Sequence, residues 1–470
     1  MGVYNVGKFQ FLKASKDIYK KPDGKKIEIE HEESPDLLRE TFPYSEIPKT
    51  PFDGKSVDID PPDEFWITDT TFRDGQQARP PYTVRQITDL YEMLHRLGGE
   101  NGVIRQCEFF LYSDKDKEVV RKCTKMGFKF PEVTGWIRAA EKDFELVKRM
   151  GLEETGILTS VSDYHTFLKL GLDRKKAMEK YLSIVRRAID EEIKPRCHFE
   201  DTTRADIYGF VVPYAQELMR LQEETGMPVK IRICDTMGYG TPYPGAALPR
   251  SVPKLVNVLV HEARVPKEQL EWHGHNDFHK VLINASTAWL YGCASANGTL
   301  LGFGERTGNP PIEGLCIEHA SLTGSTNGMD LSVITEIGNY FRNEIGALVP
   351  PNYPFVGESF NVTLAGIHAD GAIKNEEIYN IFDTAKILNR PLSVSVTDKS
   401  GLAGVAFWVE QCLGFKGIDK SDEGIKRIFE AIQKEYVKGR TTAMSPEEMF
   451  NLGKRHLPKI FVGKKTCVVR

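Results

Sequence analysis

The residues richest in chemistry are His273 and His275, two apart in WHGHND, and the neighbours Arg73 and Asp74 in FWITDTTFRDGQQ. Alternate residues of a strand face the same side, so the two imidazoles point together. Asp74 adds a carboxylate, giving an oxygen-plus-two-nitrogen donor set for a divalent cation: Mg, Mn, Co or Zn. A hydrogen-bonded pair of strand histidines is the plain alternative; Asp74, together with Asn276 and Asp277 after the histidines, shifts the reading to metal. Arg73 would set a permanent cation beside that ion and hold a substrate carbonyl oxygen as negative charge develops on it. The competing role is an ion pair at the rim. In RCHFEDTTR, Arg196, His198 and Glu200 share strand parity and should face inward. Arginine suits a substrate carboxylate, and Glu200 and Asp201 could tune a base, with interior ion pairing as the alternative for one of these residues. The Thr236 hydroxyl in CDTMGYGTP can donate to a substrate carboxylate or cap a helix. GFGERTGNPPIEG lacks the Lys-Ser/Thr ending of a Walker loop and the context of a dinucleotide fingerprint. It reads as tight turns setting Glu305 and Arg306 under the site.

These clusters need elements to carry them. Strand patterns fall at 65–72, 103–110, 131–138, 153–160, 193–200, 229–236, 270–276 and 294–301. Helical patterns fall at 83–97, 114–126, 140–150, 173–192, 208–225, 251–264, 278–291 and 312–323. Eight strand–helix units over 65–325 predict a (β/α)8 TIM barrel, with a doubly wound sheet as the alternative. The polar clusters favour the barrel. Arg73 and Asp74, Glu108, Arg138, Ser160, Arg196 to Asp201, Asp235 and Thr236, and His273 to Asp277 all sit at or near strand C-terminal ends, which a barrel brings to one mouth. Residues 1–64 are polar and Pro-containing, an N-terminal extension that wraps the barrel, mediates subunit contact or stays partly disordered. Residues 326–470 read as a lid and helical subdomain, with helices at 330–346, 400–413, 422–437 and 446–454. Between the first two lies a loop-rich stretch holding His368 and Tyr379.

Composition sets the class. The chain has 470 residues, 40% of them hydrophobic, and a net charge of -4, which leaves no electrostatic footprint for nucleic acid. No apolar run is long enough to span a bilayer. The N-terminus lacks a signal-peptide core, and Val6 stands where a myristoylation site needs Ser or Thr. Eight scattered cysteines without a CxxC pair predict a cytoplasmic protein with reduced thiols.

Read in order, DTTFRDGQQ, RCHFEDTTR, CDTMGYGTP, HGHND, GFGERTGN and GIHADGAIKNEEIY resemble the isopropylmalate, homocitrate and citramalate synthase family, metal-bearing barrels that perform Claisen-type acyl transfer. The similarity covers about 65–390. It implies acetyl-CoA and a 2-oxo acid as substrates, Asp74, His273 and His275 as metal ligands, and Arg73 as the electrophilic partner. Gln77, Arg196, His198, Glu200 and Thr236 match 2-oxo-acid pocket positions, to which Glu108 and Arg138 are added from their strand ends. His368 and Tyr379 match a catalytic pair delivered from the neighbouring subunit, which implies a homodimer with composite sites. Glu200 is the second candidate for the base. Several positions depart from the pattern. Gln76 replaces an acid, Ala139 and Ala140 follow Arg138 where homocitrate synthases have His, His198 stands for Ser, and Phe303 stands for the Asn of isopropylmalate synthases. These departures and the long arm bring the chain nearest the Re-citrate synthase branch, with oxaloacetate as the expected 2-oxo acid. Two other classes stay open: a lyase of the hydroxymethylglutaryl-CoA type, against which the His368 segment argues, and a non-catalytic metabolite-binding barrel.

Overall fold

The computed structural model describes residues 2–6, 9–13, 27–29, 32–414 and 417–463. Contacts divide the chain into two units, Met1–Asp330 and Leu331–Arg470.

The first unit is built on eight parallel strands: β1 (Trp66–Asp69), β2 (Ile104–Phe110), β3 (Glu132–Ile137), β4 (Glu154–Ser160), β5 (Lys194–Glu200), β6 (Lys230–Asp235), β7 (Leu270–Gly274) and β8 (Ser295–Gly298). Each pairs with the next, and β8 closes on β1 through Ser295↔Trp66, so the sheet is a closed barrel. Eight principal helices follow the strands: α1 (Val84–Gly98), α2 (Asp114–Lys125), α3 (Phe144–Arg149), α4 (Arg174–Asp190), α5 (Val212–Thr225), α6 (Val252–His261), α7 (Val281–Tyr291) and α8 (Ile312–Thr323). Their starts follow local chemistry. Thr83 with Gln86 and Ser113 with Asp116 form capping boxes, satisfying amides a helix start leaves bare. The patterns at 140–150 and 208–225 resolve into a 3-10 turn (Glu141–Asp143) before α3 and a π turn (Ile207–Val211) before α5.

The strands alternate apolar and polar residues for a physical reason. Parallel barrel strands are usually near-continuous apolar runs, because both faces are covered. Here Cys107, Phe109, Cys197, Phe199, Ile231, Ile233, Leu270 and Trp272 are fully or almost fully buried, while the residues between them carry the charges that meet inside. Each apolar side chain buried in that outer layer is worth about 1.5–3 kcal/mol.

Residues 36–60 of the N-terminal arm lie on the barrel. Asp36 N–H donates to Asp163 at 2.8 Å, and the Tyr164 hydroxyl donates to Leu37 O at 2.8 Å. Ala247 N–H donates to Pro51 O at 2.8 Å, Lys254 pairs with Asp53 at 2.7 Å, and His261 Nε2 lies 3.1 Å from Asp60.

The second unit is helical: α9 (Val333–Asn343), α10 (Gly366–Lys374), α11 (Thr384–Leu388), α12 (Gly401–Leu413), α13 (Glu423–Val437) and α14 (Pro446–His456), with a final turn at Pro458–Phe461. Its core joins Ala369 to Val405, Val409, Ile425, Ile428, Ile432, Met449 and Phe461. The stretch read as loop-rich therefore contains helix α10, and His368 sits on it. No helix among the described residues is long and apolar enough to cross a membrane.

Candidate metal and substrate site

Asp74 opens a 3-10 turn just after β1, His273 is the fourth residue of β7, and His275 follows that strand directly. All three are buried, at 3, 5 and 6% exposure, and they form a group able to hold a metal ion. His273 Nε2 lies 3.3 Å from His275 Nε2, and the two nitrogens lie 3.8 and 3.9 Å from Asp74 Oδ2. The centre of a triangle with those sides is about 2.1 Å from each corner, a bond length to N and O that suits Zn²⁺ or Mn²⁺.

The tautomer follows from the neighbours. Asn297 donates its amide to the Thr68 hydroxyl at 2.9 Å, so its oxygen is free to accept from His273 Nδ1 at 2.8 Å. His273 then carries its proton on Nδ1 and turns the Nε2 lone pair to the centre, the arrangement of a ligating histidine held from behind. Burial and His275 push the His273 imidazole down to about 3, so it is neutral. Burial alone would raise the Asp74 carboxyl, but the Arg73 guanidinium beside it leads the charges that hold it low. Asp74 Oδ2 has no hydrogen-bond partner among the described residues. A buried, ionised oxygen without a donor fits a cation position.

Beneath the triad lies a network of buried ion pairs. Glu108 is its hub. Its Oε2 accepts from Arg73 Nε at 2.8 Å and Arg232 Nη1 at 3.1 Å, and its Oε1 accepts from Arg196 Nη2 at 2.8 Å. Arg196 also donates to Glu154 at 2.7 Å, to Gln106 at 3.1 Å and to Thr134 at 3.3 Å. Arg232 Nε donates to Glu271 at 2.6 Å, and Lys230 pairs with Glu154 at 2.7 Å. Arg73 Nη1 reaches Asp74 at 3.3 Å. Four cations (Arg73, Arg196, Lys230, Arg232) thus meet four carboxylates (Asp74, Glu108, Glu154, Glu271), and the set is neutral while the imidazoles are neutral.

This network corrects several expectations. Arg196 faces inward, with both terminal nitrogens engaged by protein acceptors in an interior ion pair and with Nε lacking a hydrogen-bond partner among the described residues. Glu108, expected as a substrate contact, is the counter-charge of three guanidiniums. Arg138 lies one residue past the end of β3 and turns outward, bonded to Asp143 at 3.0 Å and lying over the Tyr112 ring. Glu200 faces His165 Nδ1 at 3.0 Å, Lys169 at 3.2 Å and the Ser160 hydroxyl. Those donors overcome burial and hold its carboxyl at about 2, far too low for an effective base at neutral pH.

The remaining positions are at the mouth or in the second unit. His198 is buried, with Nε2 3.4 Å from Glu108. Its ring occupies space that exists because β4 carries Gly156: a Cβ there would sit 2.5 Å from His198 Nε2 and 2.9 Å from Glu108 Oε1. The Thr236 hydroxyl accepts from Asp201 N–H at 2.8 Å and keeps its own proton to give. Gln77 is exposed at the rim. Gln76 donates to Phe72 O at 2.6 Å while accepting from Tyr82 N–H at 3.2 Å; a carboxylate could not make the first of these bonds. Arg306 bridges to Asp277 at 2.9 Å and to Thr236 O. His368 and Tyr379 stand with ring centroids 4.4 Å apart, both exposed.

Sequence reasoning passed over Arg232, Glu271, Asn297 and His165. The signal for the first two was present: Arg232 is in phase with Lys230 on β6, and Glu271 is in phase with His273 on β7.

A closed parallel barrel with an aspartate and two histidines converging under its mouth is the architecture of a (β/α)8 enzyme domain that carries a group able to hold a metal ion. The chain belongs to the HMGL-like family, whose model matches residues 64–340. It is 60% identical to the Citrate (Re)-synthase of Syntrophus aciditrophicus (strain SB), over 93% of this chain and 70% of that protein. It is 50% identical to the Citrate (Re)-synthase of Clostridium kluyveri, over 91% and 95%. A 2-phosphinomethylmalate synthase of Streptomyces hygroscopicus is 36% identical over 90% and 96%.

Proposed function

We propose that this protein condenses acetyl-CoA with oxaloacetate, releasing citrate and CoA. The observation that carries the reading is the neutral ion network under the donor triad. A divalent cation adds two positive charges to that buried set; a 2-oxo dicarboxylate balances both, whereas a branched monocarboxylate leaves one uncompensated. The names of the two relatives at 60 and 50% identity support the same substrate pair.

Asp74, His273 and His275 would hold the ion, which supplies Lewis-acid polarisation of the substrate carbonyl when bound. Two imidazoles favour Mn, Co or Zn over Mg. Arg73, fixed by Glu108, presents its guanidinium where negative charge grows on the carbonyl oxygen. Thr236 has a hydroxyl proton for the substrate's carboxylate. A base takes a proton from the acetyl methyl, the new carbon–carbon bond forms at the carbonyl carbon, and water cleaves the thioester. With Glu200 held at about 2, His368 beside Tyr379 is the base we assign.

That assignment rests on assembly. Leu364, Ile367, Ile378 and Ile381, neighbours of the pair in sequence, are exposed apolar side chains, a composition suited to a protein partner. We assign it to a second copy of the chain in a homodimer, so that His368 and Tyr379 serve the partner's barrel. Mixing inactive Arg73→Ala and His368→Ala chains under subunit exchange should restore part of the activity; demonstrated heterodimers without activity would refute the shared site. Cys107, Cys123, Cys197, Cys234, Cys293 and Cys316 are buried free thiols, which supports a reducing, cytosolic setting; Cys467 lies outside the described residues.

The function itself is tested by supplying acetyl-CoA with oxaloacetate, 2-oxoglutarate, pyruvate or 2-oxoisovalerate and following free CoA. Oxaloacetate should give the highest kcat/KM. Faster turnover of 2-oxoisovalerate would end the charge argument, and preference for 2-oxoglutarate would make the protein a homocitrate synthase.

A further inference from the structure

The second unit holds a pair of half-buried arginines bonded only to neutral oxygens. Arg342, in the last turn of α9, donates from Nη1 to Val356 O at 2.7 Å and from Nη2 to Asn339 Oδ1 at 2.7 Å. Arg390, two residues past α11, donates from Nη1 to Phe355 O at 3.2 Å and from Nη2 to Gly357 O. Three successive carbonyls of one turn thus draw the two guanidiniums to the same place. Neither arginine forms an ion pair with a carboxylate among the described residues. Arg174 in the barrel is the contrast, since it meets Asp163 at 2.9 Å and Asp206 at 3.0 Å. Carbonyls satisfy the N–H groups of an arginine but leave its charge. Burial and the Arg342 charge lower the Arg390 guanidinium from its ordinary value, and Glu358 only partly offsets them. Two like charges gathered in a half-buried place favour an anion between them.

That place is a pocket of about 530 Å³, within the range of about 300–1,000 Å³ usual for small-molecule sites. Thr335, Asn339 and Arg342 line it from one face of α9, spaced four and three residues apart. Arg390 lines it as well, 5.5 Å from the centroid of the Phe360 ring. Glu358, exposed, is the single carboxylate in the lining. The whole lining comes from the second unit. We propose that this pocket binds a small oligoanion, whose phosphate or carboxylate oxygens bridge Arg342 and Arg390. Planar guanidinium forks suit both kinds of acidic group. The site is independent of the reaction assigned to the barrel.

The test titrates the Mn-loaded protein with inorganic phosphate and with tricarballylate, one probe for each source of acidic oxygens. Chloride keeps the ionic strength constant, because exposed charges are screened by salt. The wild type should bind at least one probe, and which one binds identifies the class of ligand. Arg342→Gln and Arg390→Gln should each weaken that binding about 10–100-fold, the worth of a hydrogen bond to a charged group. Arg342→Lys, which keeps the charge without the planar fork, should fall between. Glu358→Gln should tighten binding about two- to fivefold, as expected for removing one exposed like charge. That variant decides the matter if the Gln variants at the arginines do not fold, because Glu358 is exposed. Arginines that merely staple the 355–357 turn would leave no binding for Glu358→Gln to strengthen. Failure of the wild type to bind either probe, affinity unchanged in both arginine-to-Gln variants, or no tightening in Glu358→Gln would overturn the proposal.

Discussion

Replacement of His273 by alanine is expected to lower turnover by about 10³-fold or more, since Lewis-acid stabilisation is worth several kcal/mol and each 1.36 kcal/mol is a factor of ten. The size follows from how completely the side chain is committed. His273 has a single tautomer set by Asn297, its nitrogen is 3.3 Å from that of His275, and burial keeps it neutral. Alanine removes one donor of three and leaves Asp74 and His275 facing a cavity. Chelated wild-type protein should regain activity on addition of Mn or Co, and the variant should not. Metal content measured on the folded proteins separates the explanations. A variant that keeps a full equivalent of metal, or that retains wild-type turnover without it, would show that the triad is not the catalytic centre.

Glu108→Gln is expected to cost about 3–5 kcal/mol of stability, the usual penalty for removing one partner of a buried ion pair. The amide would leave Arg73, Arg196 and Arg232 gathered around a neutral group. The same site makes stability depend on pH. Burial alone would raise the Glu108 carboxyl, but Arg232, Arg73 and His198 hold it well below its ordinary value of 4.5, and Glu271 is held at about 2 in the same way. A carboxyl depressed by folding binds its proton more readily in the unfolded chain. Its contribution is therefore complete above about 4.5 and is lost as pH falls through the folded value. Urea midpoints of the wild type should begin to fall below about 6.5, where the buried neutral His273 and His198 would take up protons on unfolding, and fall more steeply between about 4.5 and 2. The Gln variant should start lower and fall less steeply, having one such carboxyl fewer. Identical acid slopes would mean that Glu108 is not linked to folding in this way.

Much of this could be read in the sequence because parity is a strong constraint. The HxH pair had to face one way, and the eight strands fall within a few residues of their expected ends because charge alternates with apolar residues along them. What was lost is what parity cannot give. Arg196 was correctly turned inward, but its partners Glu108 and Glu154 come from other strands, and their depth depends on register, including a shift between Ile67 and Thr68 at the pairing of β1 with β2. Arg138 was placed in the mouth because its strand was drawn one residue too long. Helix α10 was missed because GIHADGAIK buries only Ala369 and Ala372, too little to show an apolar stripe.

The fit between Gly156 and His198 bears on how such a pocket can change over time. A side chain at 156 would run into the far end of the imidazole at 198 where that ring now stands, so the larger residue fits only if the imidazole shifts. A lineage with a larger residue at 156 makes room for the present placement of histidine at 198 by shrinking that residue to glycine. In the reverse direction, the imidazole must shift or leave. The shape of this floor therefore depends on a neighbouring strand. A designer who transplants His198 into a related barrel without clearing the space on β4 should obtain a strained protein instead of a new substrate preference.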